Sequence, residues 1–266
     1  MAGGRKLLSW GWELRSSPEI RARDTSGVQP VSALGRPLLA GPARTWAIAV
    51  VIGCALLVAV LGVLFAGQAR ASWFDHLVDS PIISTLGRHG LIALRLASPG
   101  TLGPAVLISG AIAVVCLRFR RINGAMLALL AVPVSDGLDD AILKPLIGRT
   151  DLSQLTYPSG HTTAVFAMTT TVAILLLVPP QPRRTRTLRA LLVLAALVVA
   201  LIVAAAVIAL EWHYFTDTIG GAAVAIGVVC TLAIIIDQLT ASRWLGPRLA
   251  GLTQSGRFRP PDPPTP

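Results

Sequence analysis

Three short polar stretches interrupt an otherwise greasy chain: "LKPLIGRTD" at 143–151, "YPSGHTT" at 157–163 and "EWHYFTD" at 211–217. Their residue types suit chemistry on an oxyanion. Ser159 is a preferred helix N-cap, and Gly160 would let the backbone approach a ligand closely. The free N–H groups and positive dipole end of a helix start favour an anion there. Lys144 and Arg149 add two cations nearby in sequence. His213 and Asp217 stand four apart, a spacing that puts both on one face of a helix. A carboxylate so placed can accept the proton of one ring nitrogen and leave the other as a nucleophile or base. His161, from a different segment, could supply the complementary acid. Two histidines around a caged phosphate make a plausible phosphoryl-transfer device with no metal or other cofactor. Cys54, Cys116 and Cys230 all fall in or at the ends of apolar runs, which points to packing, and no Cys/His cluster has zinc spacing.

The elements that must position these groups are membrane helices. Of 266 residues, 53% are hydrophobic and 14% charged, about half the charge of a soluble domain. Six stretches approach the roughly 20 apolar residues that cross a bilayer: 46–68, 101–117, 122–143, 161–178, 191–210 and 218–236. The expected fold is therefore all-α, a six-span transmembrane helical bundle over 45–240. Between spans 1 and 2, "ASWFDHLVDSPIISTLGRHGLIALRLAS" is amphipathic and too charged to span easily, so it reads as an interfacial helix. Residues 1–44 read as a flexible basic tail, and 241–266 as a Pro-rich one. The first span starts too late for a secretory signal and reads as a retained anchor.

Charge then fixes the orientation. With both tails in the cytoplasm, 18 of the 23 Lys and Arg lie on the inner side and only Arg70, Arg88, Arg95, Lys144 and Arg149 on the outer. This is the positive-inside pattern of a protein of the inner (plasma) membrane. It accounts for the formal charge of +10 without any nucleic-acid partner. It also places all three polar clusters on the outer face. Ionisable residues at membrane depth are costly and usually functional.

"PSGH" opening a span, a lysine motif before it, and His-x-x-x-Asp before the last span together resemble the type 2 phosphatidic acid phosphatase (PAP2) superfamily, in its integral membrane lipid phosphatase branch. The family pattern is Lys, six residues, Arg-Pro; then Pro-Ser-Gly-His; then Ser-Arg, five residues, His, three residues, Asp. Lys144 matches the first lysine, Pro158 to His161 match the second motif, and His213 and Asp217 end the third. The resemblance implies that His213 attacks phosphorus to form a phosphohistidine, that Asp217 orients it, and that His161 protonates the leaving group. Lys144, Ser159 and Gly160 would hold phosphate oxygens. The implied substrate is a lipid phosphate or polyprenyl diphosphate entering from the outer leaflet.

Two departures weaken the expected cradle. Asp151 and Leu152 stand where the family has Arg-Pro, and Ala206 and Val207 where it has Ser-Arg. Arg149, two positions before Asp151, is the candidate replacement. A lost charge-assisted contact is worth on the order of 2 kcal/mol. Two other readings stay open: a phosphotransferase with an acceptor other than water, and a catalytically degenerate binder of lipid or a partner. Asp136, Asp140 and Lys144 recur every four residues on one helical stripe, read as a buried ion-pair network or as a headgroup contact. Asp139 lies beside the stripe. Glu211 is two residues before His213 and placed to tune it. Trp212 and Tyr214 read as interfacial belt residues, and Thr169–Thr171 as helix packing.

Overall fold

The computed structural model describes residues 37–151, 154–178 and 183–255, so most of the expected N-terminal tail and the Pro-rich end lie outside the described residues. Helix α1 (Pro42–Phe65) begins on a proline in its first turn, where the missing N–H costs nothing. Helix α2 (Trp73–Leu86) starts at a capping box in which Ser72 and Asp75 satisfy each other's backbone N–H. Helix α3 (Gly90–Ala97) and a 3-10 turn (Ser98–Gly100) lead into α4 (Leu102–Arg118). Helix α5 (Ile122–Leu138) carries Pro133 and passes through a π turn (Asp139–Leu143) into the short α6 (Lys144–Ile147). Gly148, at φ 64, ends that run in the left-handed conformation glycine favours. A two-residue hairpin pairs β1 (Thr150–Asp151) with β2 (Gln154–Leu155), Thr150 opposite Leu155 and Asp151 opposite Gln154. Helices α7 (Gly160–Leu177), α8 (Arg183–Ala209) and α9 (Phe215–Ser255) complete the chain.

Four helices are long and apolar enough to cross a membrane alone: Pro42–Phe65, Gly160–Leu177, Thr185–Ala209 and Phe215–Ala241. They correspond to four of the six expected spans. A fifth follows if Trp73–Gly100 and Leu102–Arg118, bent by 47°, act as one. The expected third span is interrupted: the regular α5 has 17 residues before the π turn that carries Asp139 and Asp140. The sixth expected span, 218–236, continues as helix well into the segment read as a tail, to Ser255.

Helix α7 is the most enclosed of the four, with 56% of its apolar window buried, and α1 the least, with 11%. The core around α7 is built largely from small side chains, among them Ala125, Ala128, Ala131, Ala164, Ala167 and Ala225. Small residues let helices approach closely where lipid gives no hydrophobic drive to pack. The segment that enters α1 is tied to α9: the N–H groups of Leu38 and Leu39 donate to Oδ1 and Oδ2 of Asp237 at 2.8 and 2.7 Å. Past the helix end, Gly67 N–H donates to the Ile147 carbonyl and Thr150 N–H to the Gln68 carbonyl. At mid-height the Tyr157 hydroxyl donates to the Val58 carbonyl at 3.3 Å. An apolar groove of about 780 Å³ runs between α1, α5 and α9.

Candidate active site

A second cavity, of about 640 Å³, is polar. It lies where α4 begins, α5 ends, α7 begins and α8 turns into α9. Three of these ends each bring one expected residue. His161 is in the first turn of α7, His213 in the turn between α8 and α9, and Lys144 follows the π turn; all three line the cavity, and so does Gly160. The His161 and His213 rings have centroids 6.4 Å apart. That separation lets both contact one phosphoryl group, given a hydrogen-bond reach of about 3 Å on each side. The Trp212 ring lies 5.3 Å from that of His161. Lys144 Nζ approaches the bare backbone of Gly160, where an added Cβ would lie 3.8 Å away. The same ammonium is bound to Asp140 Oδ1 at 2.6 Å, but Asp140 is exposed, so this is not the buried network that one reading of the stripe predicts.

His213 is oriented by a different partner from the one expected. Its Nδ1 lies 2.9 Å from the Thr156 carbonyl and 3.9 Å from Asp217 Oδ2. A carbonyl can only accept, so Nδ1 carries the proton and Nε2 keeps a free lone pair. Burial, the Lys144 charge and His161 push the His213 pKa down to about 3. The ring therefore stays neutral and nucleophilic throughout the physiological range. Because the folded value lies below the unfolded one of 6.5, protonation favours the unfolded chain, and this contribution to stability is lost as pH falls below 6.5. Nitrogen-15 spectra of histidine-labelled protein at pH 5 should show His213 as the neutral Nδ1–H tautomer. A charged ring at that pH would refute the assignment.

Asp217 instead belongs to a buried polar cluster behind the cavity. Its Oδ2 accepts from Tyr214 N–H at 3.0 Å and its Oδ1 from Arg149 Nη1 at 2.6 Å. Arg149, expected in the phosphate cradle, does not line the cavity. It is fully buried, and its guanidinium also donates to Asp75 Oδ2 at 2.7 Å and to the Thr216 hydroxyl at 2.6 Å. The Phe65 and Tyr214 rings flank it at 4.2 and 4.5 Å. Two carboxylates and two aromatic faces thus hold this cation away from any ligand in the cavity.

Ser159 occupies the N-cap position of α7, but its side chain makes no cap hydrogen bond. It is fully buried, its hydroxyl accepts from Thr162, and its N–H donates to the Asp217 carbonyl at 3.1 Å. Of the expected phosphate-binding residues, Lys144 and Gly160 reach the cavity; Ser159 and Arg149 stand behind it. Ser159 ties α7 to α9, whose close approach depends on Gly221. A Cβ at Gly221 would lie 2.5 Å from the Ser159 carbonyl and 2.9 Å from Thr163 Oγ1. Gly221→Ala should lower stability by roughly 1–3 kcal/mol through overpacking and displace the start of α7. Gly110→Ala, with nothing within 4 Å, is the control. Equal melting temperatures for the two variants would contradict this packing.

The residues that sequence reasoning missed are on α2. Asp75 Oδ1 accepts from the N–H and hydroxyl of Thr216, and Asp79 Oδ1 from the Phe215 N–H. The first turn of α9 is thus capped by a helix some 140 residues earlier in the chain, beside the turn that holds His213. The signal was present as Ser72-x-x-Asp75, a capping-box pattern, with a second carboxylate one turn on.

Residues 140–241 match the sequence profile of the PAP2 superfamily. Among curated proteins, none matches. A solved structure, that of "the first transmembrane PAP2 type phosphatidylglycerolphosphate phosphatase from Bacillus subtilis", is 17% identical and superposes with a TM-score of 0.52. The match covers 72% of this chain and 96% of that one, and is a likeness of fold. All three polar clusters fall inside the segment that is similar to the PAP2 superfamily.

Proposed function

We propose that the protein is an integral membrane phosphatase acting on a lipid phosphate or polyprenyl diphosphate at the outer membrane face. The observation that carries this reading is the pair of imidazoles, from two helix ends, 6.4 Å apart across one polar cavity. Nε2 of His213 attacks phosphorus, and the phosphorus–oxygen bond to the leaving group breaks. His161, protonated, gives its proton to the departing oxygen. Water then attacks the phosphohistidine, His161 takes a proton from it, and inorganic phosphate leaves with His213 restored. Lys144 and the backbone at Gly160 hold phosphate oxygens. Charge balance moves through the two histidines and Lys144, so the reading needs no metal. Counting the bent α2–α4 unit and the interrupted α5 as one crossing each gives six; both termini are then cytoplasmic, 18 of the 23 Lys and Arg fall inside and the site faces outward.

The test is phosphate release by the detergent-solubilised protein, in chelator, from phosphatidate, phosphatidylglycerophosphate and a long prenyl diphosphate. Release from at least one is expected. Transfer of labelled phosphate to an acceptor other than water would make it a transferase, and no release from any would make it a binder.

A further inference from the structure

We infer that α2 is a splint for the turn that carries His213 and that Asp79 is the positioning residue through which it acts, an inference that rests on the phosphatase reading above. His213 lies in the bridge 210–214, between the last residue of α8, Ala209, and the first of α9, Phe215. Its ring is anchored on the Thr156 carbonyl. Where Nε2 points therefore depends on how firmly the two ends of the bridge are held. The α8 end is closed by its own backbone: Glu211 N–H donates to the Ile208 carbonyl and Trp212 N–H to that of Val207. The α9 end is held largely from outside.

A helix start leaves its first N–H groups without partners in the helix. At the start of α9 three successive groups each find a different carboxylate. Tyr214 N–H donates to Asp217 Oδ2 at 3.0 Å, Phe215 N–H to Asp79 Oδ1 at 3.2 Å and Thr216 N–H to Asp75 Oδ1 at 2.9 Å. Such bonds are charge-assisted and complement the helix dipole. Two of the three acids are on α2, and a ring contact joins it to the same residue: the Phe74 and Phe215 centroids lie 5.6 Å apart. At its far end α2 meets the other side of the bridge. A Cβ at Gly87, the C-cap of α2, would lie 3.0 Å from the Ala209 carbonyl. One helix thus touches the residue before the bridge and the residues after it, and sets the gap in which His213 stands. Helix α2 lies outside residues 140–241, so this support comes from a part of the chain that the PAP2 profile does not cover.

Asp79 isolates the role. Asp75 also fastens Arg149, so its loss disturbs the whole buried cluster, whereas Asp79 makes no ion pair among the described residues. It is buried, and its bond to Phe215 lies two residues from the proposed nucleophile. Without an acceptor there, the Phe215 N–H loses its partner and the bridge can shift. A misplacement of about 1 Å can cost up to about a hundredfold in rate.

The experiment compares Asp79→Leu, which keeps the shape of the side chain and lacks an acceptor, with Asp79→Asn, which keeps an oxygen for the Phe215 N–H. Rates are measured in detergent and chelator on phosphatidate, phosphatidylglycerophosphate and a long prenyl diphosphate. On each lipid that the wild type hydrolyses, Asp79→Leu should lower kcat by about tenfold or more with KM within about twofold, and Asp79→Asn should keep kcat within about threefold of the wild type. A merely structural role would lower the melting temperature and leave kcat of the folded protein alone. Wild-type kcat in Asp79→Leu, a change in KM alone, or an Asp79→Asn protein as impaired as Asp79→Leu overturns the inference and leaves the phosphatase reading intact. Should Asp79→Leu not fold, Asp79→Ser, whose hydroxyl stops short of the Phe215 N–H, takes its place; if neither folds, Asp79 is a folding residue and the inference fails. No phosphate release by the wild type from any of the three ends the phosphatase reading instead. Nitrogen-15 spectra of histidine-labelled protein then decide the placement alone. The His213 signal should move in Asp79→Leu and stay in Asp79→Asn, and an unmoved signal in Asp79→Leu ends the inference.

Discussion

His213→Ala should abolish turnover and leave the bundle folded. The ring makes one hydrogen bond, to the Thr156 carbonyl, so its removal costs on the order of 1 kcal/mol of stability. Its Nε2, by contrast, is the proposed nucleophile toward phosphorus. Removal of a covalent nucleophile lowers kcat by roughly 10⁴-fold or more. Neighbouring groups do not replace it: His161 comes from another helix, and Lys144 is engaged by Asp140. The two readouts are phosphate release and the melting temperature in detergent. Wild-type turnover in a folded His213→Ala protein would end the phosphohistidine mechanism.

Arg149→Met should have the largest effect on stability. The guanidinium bridges Asp75 and Asp217 at full burial, and its loss leaves two carboxylates facing each other without a cation. Breaking a buried pair from one side costs about 3–5 kcal/mol. Arg149→Lys should recover only part of it. A single ammonium cannot donate from one plane to Asp75, Asp217 and Thr216 while stacking between Phe65 and Tyr214. Adding Asp75→Asn to Arg149→Met should restore some stability by removing one of the stranded charges. In protein that remains folded, KM should stay near the wild-type value, because Arg149 does not line the cavity. A raised KM with an unchanged melting temperature would instead put Arg149 in the phosphate cradle.

The contrast between these two residues shows what the sequence could convey. His213 and His161 were legible because their motif order and their place at helix ends fix where the backbone brings them. The apolar runs were legible because hydropathy alone distinguishes α1, α7, α8 and α9. Arg149 was close to Lys144 in sequence, but sequence distance does not say which way a side chain points. Five residues after Lys144, and past the left-handed Gly148, it faces α2 and α9 rather than the cavity. The orienting group for His213 was hidden for another reason. It is a backbone carbonyl, at Thr156, and every residue has one. The i, i+4 spacing of His213 and Asp217 suggested a helical pair, yet α9 begins at Phe215, so His213 lies before the helix and its ring turns to the β2–α7 loop. The link between α2 and the start of α9 joins residues some 140 apart, beyond any local pattern.

Exposure does not mean freedom of movement in this protein. Helix α1 is the span least enclosed by its neighbours, yet it is stapled at three heights. A carboxylate holds its entry, a phenol its waist, and two peptide groups its exit. Each staple is directional, so sliding or rotating the rod would break several at once. The recess between α1, α5 and α9 is therefore walled on one side by a helix that polar clasps hold in place.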